Sequence, residues 1–65
     1  MSLGAAPPLA GLRVLVVEDE PVVAMFLEDA LPRLGASVAG VAGRLEDAVG
    51  LARAAACDVA LLDVN

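Results

Sequence analysis

Lysine, histidine, tryptophan and tyrosine are absent from this 65-residue chain, and cysteine and phenylalanine occur once each. Each absence removes a class of function. Without His and with Cys57 alone, neither a disulfide within the chain nor a zinc site of clustered Cys and His can form. Cys57 also lacks an imidazole to activate it, so it reads as a small apolar side chain rather than a nucleophile. One Phe and no other aromatic leave no platform on which bases can stack. Four Arg against nine acids give a net charge of −5, the opposite of a nucleic-acid footprint. No apolar run approaches the roughly 20 residues of a membrane span. The amino terminus has no charged n-region and is broken by Pro7 and Pro8, unlike a secretory signal. A cytoplasmic chain that binds neither nucleic acid nor membrane is expected.

What is present is aliphatic: 14 Ala, 11 Leu and 10 Val. A chain of this length forms one small domain and buries only about 60% of the surface its unfolded form exposes. Residues 1–11, rich in Gly, Ala and Pro without periodicity, read as a flexible leader, and 12–65 as the folded unit. Residues 12–17 (LRVLVV) lack polar alternation apart from Arg13, as befits a strand covered on both faces. A helix follows, with Asp19 as the expected N-cap and Pro21 near its first position. Val23, Phe26, Leu27, Ala30, Leu31 and Leu34 form its expected buried stripe, and Asp29 and Arg33 an outward pair. Pro32 and Gly35 place its end between Leu31 and Leu34. Residues 36–42 predict a weak edge strand interrupted by Gly40. Gly43 and Arg44 open a second helix, with Leu45, Ala48, Val49, Ala52 and Ala55 as its stripe. The run from Val59 to Val64 is the last strand. The order is β-α-β-α-β, with crossovers long enough for right-handed parallel units.

Acids collect where two of these strands end. Val14 to Val17 lead into Glu18, Asp19 and Glu20, and Val59 to Leu62 lead into Asp63. In open α/β sheets the ligand crevice lies outside the carboxyl ends of the strands. If the first and third strands are neighbours, Glu18, Asp19 and Asp63 converge there. Two such charges about 4 Å apart repel by about 4 kcal/mol at an effective dielectric of about 20, so a counter-ion or shared protons are needed. Oxygen donors without His or Cys select Mg²⁺, Mn²⁺ or Ca²⁺ over zinc or copper. Glu20 reads more simply as a helix-start acid favoured by the dipole.

VLVVEDEP, an amphipathic helix, GRLEDAVGLA and DVALLDVN, in that order and spacing, resemble the receiver domain of bacterial two-component response regulators. The resemblance covers residues 12–65 and about the first half of that family's fold. It implies a three-stranded parallel α/β sheet of order 2-1-3, half of a flavodoxin-like receiver fold. It also implies metal binding by Glu18, Asp19, Asp63 and the backbone carbonyl of Asn65, with Mg²⁺ as cofactor and Mn²⁺ as a substitute. Asp63 is then the phosphoacceptor, and the partner is a sensor histidine kinase or phosphotransfer protein; the chain is not itself an enzyme. Glu18, where Asp is commoner in the family, is a mild departure. The hydroxyl residue and the lysine with which receivers grip the phosphoryl group have no counterpart, so an incomplete fragment is expected. The third strand would be a bare apolar edge that invites self-association.

Two other classes share parts of this pattern. One is a receiver-like dimerisation module independent of phosphate. The other is a metal-dependent enzyme resembling the Toprim arrangement, which wants an Asp where Asn65 stands. A P-loop and the G-x-G-x-x-G dinucleotide fingerprint are both missing.

Overall fold

The computed structural model describes residues 7–63; Asn65 and its expected role lie outside them. Five elements follow in order: β1 (Arg13–Glu18), α1 (Pro21–Arg33), β2 (Ser37–Ala42), α2 (Leu45–Ala54) and β3 (Val59–Asp63). The three strands form one parallel sheet in the order β2-β1-β3, with the two helices as crossovers. This is the α/β arrangement of half a flavodoxin-like fold.

β1 is the centre of the molecule, which explains its unbroken apolar sequence. Val14 and Val16 pack against Leu31 and Ala36 on the α1 side, and Leu9, Leu12, Leu27, Val38 and Leu61 complete that cluster. Leu15 and Val17 pack against Ala42 and Ala48 on the α2 side, with Leu51 and Cys57 at the margin. A strand with helices on both faces has no use for polar alternation. β2 is an edge, as its small residues predict. Its pairing with β1 slips between Val14 and Leu15, because Val38 and Gly40 face consecutive residues and Ala39 is left over as a bulge. Both helices cover β1 and β2, and neither lies over β3.

Pro21 occupies the start of α1, where a missing N–H costs nothing. The cap is Glu20 rather than the expected Asp19, and no side chain caps the helix. Pro32 sits within the last turn, and the chain leaves through hydrogen bonds from Leu34 N–H to Leu31 O (3.0 Å) and Gly35 N–H to Pro32 O (3.0 Å). Gly35 adopts φ +94°, the left-handed conformation that terminates helices at glycine. A side chain there would also strike Pro7, whose Cβ stands 2.7 Å from where a Cβ would lie. That contact belongs to a docked segment. Of the residues read as a leader, Leu9 donates to Leu34 O (2.9 Å), Gly11 donates to Gly35 O (3.3 Å), and Leu9 joins the core.

The buried faces of both helices differ from the expected stripes. On α1, Ala24 and Leu31 are buried while Phe26 is 66% exposed and Leu34 lies at the surface. Apolar residues run unbroken from Val22 to Leu27, so periodicity alone cannot choose among faces. On α2 only Ala48 is buried; Leu45, Val49 and Ala52 are exposed, and Leu51 turns inward instead. The expected Arg33–Asp29 pair does form, at 3.2 Å, between two exposed side chains.

At the other end of the sheet Arg13 and Asp58 lock β1 to β3. Asp58 Oδ2 accepts the Arg13 backbone N–H (2.8 Å), Asp58 N–H donates to Arg13 O (2.8 Å), and the guanidinium stands 3.6 Å from Oδ1. The Arg13 backbone hydrogen bond first, then its side chain, holds the Asp58 carboxyl below its ordinary value. A carboxyl lowered in the folded state contributes stability above its unfolded pKa of about 3.9 and loses it as pH falls through the folded value. Asp58→Asn should therefore be less stable than the parent at neutral pH, with the gap closing under acid. Urea titrations at a series of pH values check this; a gap that is constant with pH would refute it.

Candidate functional site

β1 and β3 run side by side and in the same direction, with Val14 opposite Val59 and Glu18 opposite Asp63. The two acid-terminated strands therefore end at the same rim. This register follows from the chain itself: the Arg13–Asp58 lock sets the start, and five residues later both strands reach their acid.

The three acids after β1 are not equivalent. Glu18 is the last residue of β1 and is only 4% exposed, the single buried charged residue among those described. Its Oε1 accepts the Glu20 backbone N–H at 2.9 Å. Its Oε2 is buried and has no hydrogen-bond partner. Asp19 and Asp63 are both exposed, and Asp63 stands opposite Glu18 in the strand register. The Glu20 amide is the largest single influence on Glu18 and favours its charged form. Burial, the hydrogen-bonding and negative charge of Asp63, and the proximity of Asp19 together outweigh that amide. The Glu18 carboxyl is consequently held above its ordinary value. A buried carboxylate oxygen with an acid beside it and no donor is costly, and a native structure that keeps one calls for a counter-charge.

Of the sequence-derived candidates, the strand register sets Glu18 opposite Asp63, and Asp19 follows Glu18 in the chain. Glu20 is exposed, and its backbone supplies the amide that fixes Glu18. Sequence reasoning missed that role. The only available signal was the i to i+2 spacing at which an acidic side chain bonds a backbone N–H ahead of it.

Among the described residues, no group of three or more Asp, Glu, His or Cys forms a ready-made metal cage. The donor set suits instead a cation that takes one or two carboxylates and keeps most of its water, as Mg²⁺ does. Glu18 Oε2 is the orphaned atom such an ion would satisfy. The Asp63 side chain is exposed at the end of β3. No family model, curated protein or solved structure matches this chain.

Proposed function

We propose that this chain is the phosphoacceptor portion of a receiver domain in two-component signalling, taking a phosphoryl group on Asp63 in a Mg²⁺-dependent reaction. The observation that carries the proposal is the register pairing of Glu18 with Asp63, combined with the buried, unpartnered Oε2 of Glu18. The reading places the protein in the cytoplasm, opposite a histidine kinase or phosphotransfer protein. That no helix among the described residues is long and apolar enough to cross a membrane agrees with it.

The residues divide the work. Asp63 is exposed at the end of β3 and presents its carboxylate as the nucleophile. One of its oxygens attacks the phosphorus of a phosphohistidine or small acyl phosphate. The bond from phosphorus to the donor breaks, its electron pair leaves with the donor, and the product is an aspartyl phosphate. Glu18 is held in place by the Glu20 amide and keeps its other oxygen without a hydrogen-bond partner. Glu18, Asp19 and Asp63 would hold the cation, with the Asn65 carbonyl as the further ligand that the family resemblance implies. Bound Mg²⁺ supplies the positive charge that lets an anionic nucleophile approach an anionic phosphoryl group. No general base is needed, because an ionised carboxylate has no proton to lose. The chain has no lysine, so the reading covers acceptance of the phosphoryl group and not the relay that follows it.

Intact-mass measurement after incubation with a small acyl phosphate tests the proposal. One phosphoryl adduct is expected with Mg²⁺, none with a chelator, and none in Asp63→Asn. A wild-type chain that stays unmodified in Mg²⁺, or an Asp63→Asn variant that is still modified, would defeat the proposal.

A further inference from the structure

We propose that Asp58 is a positioning residue: with the Arg13 backbone it fixes the register of β3 on β1 and so keeps Asp63 opposite Glu18. The inference rests on the phosphoacceptor reading, to which it adds the device that holds two like charges together.

The aliphatic runs of the two strands do not encode their own alignment. Register is ordinarily specified by alternation, because a slip of one residue turns the apolar face outward. Val14 to Val17 and Val59 to Leu62 are apolar at every position, so a slip exchanges one aliphatic neighbour for another. Leu61 packs into the cluster on the α1 side, and Ala60 or Leu62 would stand in its place after a one-residue slip. Hydrophobic contact therefore separates these alignments only weakly.

The carboxyl ends of the strands oppose the native alignment. Glu18 and Asp63 face each other across the parallel pair, and like charges directly opposite are destabilising. A parallel strand rises about 3.3 Å per residue, so a slip of one step carries Asp63 that far from Glu18 and relieves the repulsion. Something elsewhere must hold the register that the site needs.

That restraint lies at the opposite end of the strands. Asp58 Oδ2 accepts the Arg13 backbone N–H at 2.8 Å, and Asp58 N–H donates to Arg13 O, also at 2.8 Å. The first of these is the one side-chain hydrogen bond between β1 and β3 among the described residues. It singles out one residue on each strand, which an aliphatic contact cannot do. It also stands five residues before the acids on both strands, so the alignment set there reaches Glu18 and Asp63 unchanged. The Arg13 guanidinium, 3.6 Å from Oδ1 and half exposed, adds little. The restraint is the Asp58 carboxyl oxygen on the Arg13 amide.

Four variants separate positioning from a purely structural role. Asp58→Ala removes the acceptor, and Arg13→Pro removes the donor at the first residue of β1, a place where strands tolerate proline. Asp58→Asn keeps an acceptor oxygen, and Arg13→Ala keeps the backbone N–H. Phosphorylation by a small acyl phosphate in Mg²⁺ is followed by intact mass and divided by the folded fraction from circular dichroism. Misplacing a reacting group by about 1 Å can cost about a hundredfold, so Asp58→Ala and Arg13→Pro should be slowed at least about tenfold per folded chain. Asp58→Asn and Arg13→Ala should stay within about twofold of the wild type. Nuclear Overhauser contacts between the backbones of Val16 and Leu61, partners in the native register, should weaken in the first two variants alone. Should Asp58→Ala fail to fold, Arg13→Pro carries the same test from the other strand. A folded Asp58→Ala or Arg13→Pro with the wild-type rate and contacts would overturn the proposal, as would an Asp58→Asn rate as low as that of Asp58→Ala. A wild type that takes no phosphoryl group defeats the phosphoacceptor reading instead, and the Val16–Leu61 contacts then decide whether Asp58 sets the register.

Discussion

Leu31→Ala is expected to lower the unfolding free energy by about 2–5 kcal/mol, a large share of what so small a chain holds. Leu31 is 5% exposed and joins the last turn of α1 to Val14, Val16 and Ala36. Its carbonyl also accepts hydrogen bonds from Leu34 and Ala36, which turn the chain into β2. Truncating a buried leucine costs about 2–5 kcal/mol, a transfer loss plus the cavity left behind. Domain stabilities run at about 0.05–0.15 kcal/mol per residue, so a chain this small holds about 3–10 kcal/mol in all. At mid-range values the substitution therefore removes about half of what is there. Phe26→Ala is the matched control: the side chain is larger, yet it is 66% exposed and lies off the core. Surface changes of that kind stay within about 0.5 kcal/mol. Urea titration of both variants checks the pair. A Phe26→Ala loss equal to that of Leu31→Ala would mean that α1 presents a different face to the sheet.

The second large effect concerns Glu18→Gln, which should raise the stability of the metal-free protein and abolish its response to Mg²⁺. Gln keeps the oxygen that accepts the Glu20 amide, the strongest influence on Glu18. It replaces the orphaned oxygen with an amide donor next to Asp63 and removes the charge that burial and Asp63 oppose. The sign follows from the raised carboxyl. Such a group contributes its stability below the unfolded pKa and loses it as pH rises through the folded value. The wild type therefore loses stability as pH rises through that folded value, whereas the variant has no such group to ionise.

On the proposed reading, Mg²⁺ would raise the stability of the wild type by a different route. At ten times its dissociation constant a ligand that binds only the folded state adds about 1.4 kcal/mol. For a domain of this size that corresponds to a rise of about 6–11 °C in Tm. Thermal melts with and without Mg²⁺ should show that rise in the wild type and none in Glu18→Gln. A variant that is less stable than the parent in chelator would contradict the account of Glu18 as an uncompensated charge.

Much of the fold was legible before any coordinates. The unbroken aliphatic run of β1 announced a strand covered on both faces, and both of its faces are indeed filled. Pro21 marked where α1 begins, and Pro32 with Gly35 marked where it ends, because these residues act through their own backbones and need no distant partner. The weak composition of residues 36–42 placed β2 at an edge. The side-by-side placement of β1 and β3, on which the candidate site depends, is present as expected.

Other features waited for the tertiary structure. Which face of α1 meets the sheet was undecidable from a helix whose first two turns are apolar all round, and Phe26 was assigned inward when it points out. The leader looked structureless because its attachment at Leu9 and Gly11 is made to Leu34 and Gly35, more than 20 positions away. Three consecutive acids, Glu18, Asp19 and Glu20, are chemically alike on paper. The strand carries Glu18 into the buried layer before the chain turns, and it leaves Asp19 and Glu20 in solvent. Local chemistry, then, determined where the elements start and stop and that carboxylates gather at strand ends. Only packing decided which carboxylate is stripped of water, because burial belongs to the assembled layers and not to any residue taken singly.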